Sequence, residues 1–147
     1  MILGFTGHRA ITNYNSTYLA IEHYLKELNP NHTISGMAIG SDQLFAVICI
    51  RLGISFIAAV PFVGQESKWP LHVQKQYFKI LDKAKEIITV SDGTYSNEKF
   101  HIRNEYIVNN SDKILAYYDG SPSGTGHCVN YATKNSKEII RINPKEF

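Results

Sequence analysis

The chain has 147 residues, of which 44% are hydrophobic and 19% charged, and a formal net charge of +2. That length suits one domain able to bury about two-thirds of its unfolded surface, and the apolar content excludes a disordered chain. The weak charge, with no Lys/Arg block, argues against nucleic acid as the partner.

The opening Met1-Ile-Leu-Gly-Phe5 run has neither a basic region nor a long apolar stretch, so no secretory leader is expected. No apolar stretch approaches the ~20 residues needed to span a membrane. Two cysteines, Cys49 and Cys128, make a weak case for a disulfide framework. The expected location is therefore the cytoplasm, with reduced thiols.

In chain order, Ile2–Thr6 reads as a strand. Residues Ser16–Leu28 read as a helix, with Leu19, Ile21, Leu25 and Leu28 apolar, a cap at Asn15 or Ser16, and Pro30 just beyond. His32–Ser35 is a short strand. Ser41–Leu52 is a helix apolar around much of its circumference, closed by Gly53. Ser55–Val60 is a continuous apolar strand, as in a sheet covered on both faces. A polar and aromatic loop, Pro61–Pro70, leads to a helix at Leu71–Ala84 and a strand at Glu86–Val90. A turn-rich stretch, Ser91–Asn97, precedes a helix reaching about Asn110. Lys113–Tyr118 is a strand, Thr125–Lys134 a helix and Glu138–Ile142 a last strand.

This alternation predicts an α/β fold: a Rossmann-like domain over residues 1–147, with a mostly parallel sheet of about six strands and helices on both faces. The simplest strand order is 3-2-1-4-5-6. That order puts the topological switch between the first and fourth strands, where a ligand binds beyond the strand ends.

Three strand-to-helix turns carry glycine with small or polar residues. They are Gly4-Phe-Thr-Gly-His-Arg9, Ser35-Gly-Met-Ala-Ile-Gly-Ser-Asp42 and Asp119-Gly-Ser-Pro-Ser-Gly-Thr-Gly126. Glycine lets backbone N–H groups approach a ligand, and a helix N-terminus favours negative charge. Three such turns along one sheet edge suit a phosphorylated, nucleotide-type molecule.

In the first turn, Arg9 suits a bidentate phosphate contact, or is a surface residue after a structural glycine. Neither G-x-G-x-x-G nor G-x-x-x-x-G-K-[ST] occurs, which disfavours a dehydrogenase or P-loop enzyme. In the second turn, Asp42 either complements the helix start or contacts a ribose hydroxyl, and Gln43 suits either arrangement. In the third, the Ser and Thr hydroxyls and free N–H groups suit phosphate, or form a helix start capped by Thr125.

Arg103 and Asn104 fall near a helix start, pointing into the cleft or pairing at the surface. Trp69 either stacks on a base or anchors its loop. The six histidines show no H-x-x-x-H spacing and the cysteines no C-x-x-C, so no metal site is expected. Cys128, near a helix N-terminus, is expected to have a lowered pKa. Its neighbour His127 is a poor partner for a nucleophile, because adjacent helical residues do not face each other, so Cys128 reads as a small packing residue.

Taken together, Gly-Phe-Thr-Gly-His-Arg9 and Ser35-Gly-Met-Ala-Ile-Gly-Ser-Asp-Gln43 resemble the SLOG (Smf/DprA-LOG) superfamily, most of all its small YpsA-like branch. Pro61-Phe62, Gly64-Gln-Glu66, Trp69-Pro70, Arg103-Asn104 and the Gly124–Ala132 stretch fit the same branch. The resemblance spans nearly the whole chain. It implies a Rossmann-like sheet with a pocket for nucleotides or nucleotide-derived signals of the ADP-ribose kind, in settings that include bacterial and phage conflict. It also implies a homo-oligomer; no cofactor is expected. The ligand-binding set it suggests is Gly7, His8, Arg9, Gly36, Met37, Ala38, Asp42, Gln43, Pro61, Phe62, Trp69, Arg103, Asn104, Asp119, Gly124, Thr125 and Gly126.

Within the superfamily, the LOG branch hydrolyses nucleoside monophosphates and carries P-G-G-x-G-T-x-x-E. Here Gly124-Thr125 matches the G-T, Gly120 stands at the leading Pro and Cys128 at the Glu. Arg103 is the counterpart of an upstream Arg and is the catalytic contact if the protein is a hydrolase. N-glycosidic cleavage needs an acid or base and stabilisation of an oxocarbenium-like charge. Loss of the carboxylate therefore favours binding over turnover, unless Glu66 or Glu105 substitutes. Nucleic-acid binding, known in one SLOG branch, ranks last.

Overall fold

The computed structural model describes residues 1–147. Six parallel strands alternate with five α-helices. The strands are β1 (Ile2–Gly7), β2 (His32–Ser35), β3 (Ser55–Val60), β4 (Glu86–Thr89), β5 (Lys113–Tyr117) and β6 (Glu138–Ile142). The helices are α1 (Tyr14–Leu28), α2 (Ser41–Leu52), α3 (Leu71–Leu81), α4 (Asn97–Asn109) and α5 (Gly124–Lys134).

The sheet order is β4-β3-β2-β1-β5-β6, not 3-2-1-4-5-6. The strand beside β1 is β5, and β4 lies at the outer edge beyond β3. Burial explains the difference. Ile114–Tyr117 of β5 are all buried, as a central strand requires, whereas three of the four β4 residues are exposed. The chain therefore keeps stepping outward through β4 and reverses one crossover later than expected. That crossover contains α4, which returns across the sheet and packs on β3 and β1. The reversal lies between β1 and β5, so the crevice expected at a switch point opens there.

Period-two alternation sends neighbouring side chains to opposite faces. Leu3, Phe5, Phe56, Ala58, Leu115 and Tyr117 enter the larger core, with Ile21 and Leu25 of α1 and Phe45 and Ile48 of α2. Ile34, Ala59 and Ile114 face the other side and pack with Ile107 and Val108 of α4 and Cys128 and Ala132 of α5. Helix α2 is buried over most of its length, as its all-round apolar pattern predicts.

Caps adjust the helix boundaries. Asn13 Oδ1 accepts from Ser16 N–H, so α1 begins two residues before the expected start. Ser123, not Thr125, caps α5, its Oγ accepting from Gly126 N–H at 3.0 Å. Helix α3 stops at Leu81, and the tighter bonds Lys83 N–H to Ile80 O and Ala84 N–H to Leu81 O close its end.

Candidate functional site

The first and second glycine turns are locked together at the carboxyl end of β1. Gly40, at φ 98°, brings its Cα against the backbone of Arg9, where a Cβ would lie 2.0 Å from the Arg9 carbonyl oxygen. Ser41 Oγ then donates to the His8 carbonyl at 2.7 Å. This contact fixes the His8–Arg9 segment over the start of α2.

Within the second turn, Met37 adopts the left-handed region at φ 59°, unusual for a side chain other than glycine. Its side chain is fully buried in the larger core, its N–H donates to Ser35 Oγ and its carbonyl accepts from Gln43 Nε2. Asp42 Oδ2 accepts from Ala38 N–H at 3.2 Å, so the carboxylate staples the turn it follows.

A cavity of about 270 Å³ opens where these turns meet α4 and α5. It is lined by nine of the expected residues: Gly7, His8, Arg9, Ala38, Asp42, Arg103, Asn104, Gly124 and Thr125. Thr6, Phe100 and Ser123 line it as well. Phe100 carries a sequence signal of its own, because i and i+3 share a helix face and Phe100 stands three residues before Arg103. Thr6 stands next to last in β1 and Ser123 caps α5, so the turn boundaries would have pointed to both.

Gly36, Met37, Gln43, Pro61, Phe62, Trp69, Asp119 and Gly126 lie outside this lining. Gly36, Met37 and Gln43 shape the wall from behind. Phe62 is buried and meets the Phe100 ring edge-on at 5.5 Å. Trp69 turns away and packs on Tyr77, with ring centroids 5.3 Å apart. Asp119 pairs with His8 Nε2 at 2.9 Å.

Two opposite charges lie at the cavity floor. Arg103 is 4% exposed and Asp42 7%. Arg103 Nη1 donates to the Gly36 carbonyl at 2.6 Å and Nε to Asn104 Oδ1 at 3.0 Å. Asn104 Nδ2 in turn donates to the Gly124 carbonyl, tying the arginine to the start of α5. Arg103 makes no ion pair with Asp42, and neither its Nη2 nor Asp42 Oδ1 has a protein partner. Neither atom is sealed off from the cavity, so one free donor and one free acceptor are open there to a polar group.

Burial raises the Asp42 carboxyl to about 6, against the pull of Arg103. Burial also lowers the Arg103 pKa, with Asp42 opposing. The Arg9 guanidinium, on the exposed lip, has no carboxylate partner. The Gly124 and Thr125 N–H groups make no hydrogen bond within the protein. Together with Arg9 and Arg103 they form a donor-rich wall suited to phosphate.

Cys128 packs in the smaller core, as a small packing residue should, but its thiol is not lowered by the helix N-terminus. Burial pushes its thiol up to about 11, outweighing any lowering by the helix N-terminus. Its Sγ lies behind the cavity wall, 3.9 Å from the Asn104 carbonyl. No group of three or more His, Cys, Asp or Glu side chains is arranged to hold a metal ion. No helix is long and apolar enough to cross a membrane.

A six-stranded parallel sheet flanked by five helices, with a polar, arginine-floored cavity at its switch point, defines a Rossmann-like α/β protein. The profile of the YspA SLOG family matches residues 19–146, and the chain belongs to that family. It is 34% identical over 143 residues to the uncharacterised SPbeta prophage-derived protein YoqJ of Bacillus subtilis (strain 168), covering 84% of this chain and 83% of YoqJ. It is 35% identical over 100 residues to UPF0398 protein BH1768 of Halalkalibacterium halodurans, covering 61% of this chain and about half of that protein, 52%. DNA processing protein A of Helicobacter pylori, described for its single-stranded DNA binding mode, superposes with a TM-score of 0.74 at 18% identity. That match covers 99% of this chain and 70% of the other, and it shows the shared fold.

Proposed function

We propose that the cavity binds a nucleotide-derived small molecule of the ADP-ribose or cyclic ADP-ribose kind, held as a sensed or sequestered signal. The observation that carries this reading is the unmatched pair at the floor, Arg103 and Asp42. Arg103 calls for an anion and ionised Asp42 for a donor such as a ribose hydroxyl. A phosphorylated ribose supplies both. Its phosphate meets Arg103, Arg9 and the free N–H groups of Gly124 and Thr125, and its base lies against Phe100. The buried thiol of Cys128, where the hydrolase branch has a carboxylate, favours retention over cleavage. A prophage-derived relative fits a role in conflict between bacteria and their phages. The cytoplasm is the matching compartment. The half-exposed Phe78 and Ile87, beside the open β4 edge, suit contact with a second copy of the chain.

A second reading is hydrolysis of a nucleoside monophosphate. It is favoured by a carboxyl with a raised pKa, Asp42, inside the cavity beside Arg103. One experiment separates the two. The protein is mixed with NAD, ADP-ribose, cyclic ADP-ribose and nucleoside monophosphates, washed and heat-denatured, and both fractions go to mass spectrometry. An intact molecule released only by heat supports binding. Free base and sugar phosphate in the wash support hydrolysis. Retention of single-stranded oligonucleotide that weakens with salt would replace both readings with nucleic-acid binding.

A further inference from the structure

A second cavity, of about 670 Å³, lies on the other side of the His8–Arg9 segment, between the start of α1, the loop after β5 and the residues after β6. His8 and Arg9 line both cavities. We infer that this second cavity takes the other half of the same ligand, a phosphate-linked ribose, so that the recognised molecule is two-armed and bridged by pyrophosphate. The inference rests on the reading of the first cavity as a nucleotide site.

Volume is the first argument. At about 270 Å³ the first cavity falls just below the roughly 300–1,000 Å³ typical of small-molecule sites, room for one nucleotide half but not two. Position is the second. The shared segment follows β1 and Asp119 follows β5, so the two cavities flank the switch point, and a molecule laid across it enters both. Arg9 stands between them with its guanidinium unpaired, where a bridging pyrophosphate would lie.

Donors and acceptors give the third argument. Asp119 Oδ1 accepts from Ser121 N–H at 2.9 Å and Ser121 Oγ at 2.6 Å, and lies 2.9 Å from His8 Nε2, which also meets the Asp119 N–H at 3.1 Å. Its Oδ2 has no protein partner. The Ser121 hydrogen bonds hold this carboxyl well below the usual carboxylate range, so it stays ionised and only accepts. An ionised acceptor repels phosphate and attracts hydroxyls, which puts a ribose diol at Asp119 and the phosphates towards Arg9 and Lys145. Thr12 and Asn13 complete a polar wall.

The test compares AMP with ADP-ribose by titration calorimetry on the full chain, using Lys145→Glu and Ala10→Phe. Both replaced residues are exposed, so both variants should fold. Wild type should bind ADP-ribose about tenfold or more tightly than AMP. Each variant should lose about tenfold for ADP-ribose and leave AMP affinity unchanged. Equal affinity for the two ligands, or variants that weaken neither or weaken both alike, would overturn the second arm and leave the first cavity's reading intact. Failure of both ligands to bind wild type would overturn the nucleotide reading itself, and this inference with it.

Discussion

Gly36 and Arg103 are built around each other. The Gly36 carbonyl accepts the 2.6 Å bond from Arg103 Nη1, and a Cβ on Gly36 would stand 2.6 Å from that same nitrogen. Gln65 Nε2 donates to the same carbonyl at 3.2 Å, so both of its lone pairs are used. The position needs a hydrogen atom because a guanidinium occupies the space a methyl group would take.

Gly36→Ala should therefore damage the site more than the fold. The displaced group is the end of a flexible side chain, and Arg103 can shift into the cavity. We expect a folded protein with stability lowered by about 1–3 kcal/mol, and nucleotide affinity reduced about as much as in Arg103→Ala, tenfold or more. Calorimetric titration and thermal melts on both variants check this. Undiminished affinity in Gly36→Ala would show that Arg103 does not contact the ligand.

Phe100 and Trp69 should separate affinity from stability. Phe100 lines the cavity, held edge-on by Phe62 and by Tyr95 at 5.9 Å, with Arg103 over its face at 5.8 Å. Trp69 packs against Tyr77 and the larger core. Phe100→Ala should weaken a base-bearing ligand by about 1–3 kcal/mol, the size of one base–aromatic stack, while ribose 5-phosphate binding is unaffected. Trp69→Ala should lower the melting temperature and leave affinity unchanged. The reverse pattern would move the base to the Trp69 loop.

The elements were legible because apolar runs and helical periodicity are local properties. The Ser41–Leu52 and Ser55–Val60 spans are reproduced residue for residue. Strand order was not legible, because which strand neighbours β1 depends on how far each crossover carries the chain. The exposed pattern of β4, with Glu86 and Thr89 in a four-residue strand, was the available clue. The convergence of Arg9, Asp42, Arg103 and Thr125 could be read from the glycine turns and the family resemblance. The direction of a loop aromatic such as Trp69 could not, since its partner Tyr77 lies more than one turn inside α3. The failure of Arg103 and Asp42 to pair is likewise a matter of side-chain geometry with no trace in spacing.

The thiols should be inert in the folded protein. Burial pushes Cys49 up to about 12 and Cys128 up to about 11, and both side chains are fully buried. A thiolate is the reactive form, so at neutral pH neither has the charge or the access to react. Alkylation followed by mass spectrometry should find no label on native protein and two labels per chain in denaturant. Rapid native labelling of Cys128 would mean that the α4–α5 wall of the cavity opens in solution.

Asp42 should make stability depend on pH in the direction opposite to most carboxylates. Its pKa of about 6 in the fold lies above the ordinary 3.8, so between those values the folded state holds a proton that the unfolded chain has released. Its contribution is complete below about pH 4 and is lost as pH rises through about 6. The total is roughly 3 kcal/mol, since each pKa unit is worth about 1.4 kcal/mol. Asp119, whose pKa is lowered by its Ser121 hydrogen bonds, acts in the other sense and at more acidic pH. His127, whose pKa burial lowers, adds a pH dependence of its own, so the comparison must be made against a variant. Asn at position 42 keeps the shape and cannot ionise. Denaturant unfolding of wild type and Asp42→Asn at about pH 4 and about pH 7 should show the variant gaining on wild type as pH rises. A constant difference would mean that Asp42 is ionised throughout and that Arg103 compensates it fully. The unmatched acceptor at the cavity floor would then lose its cause.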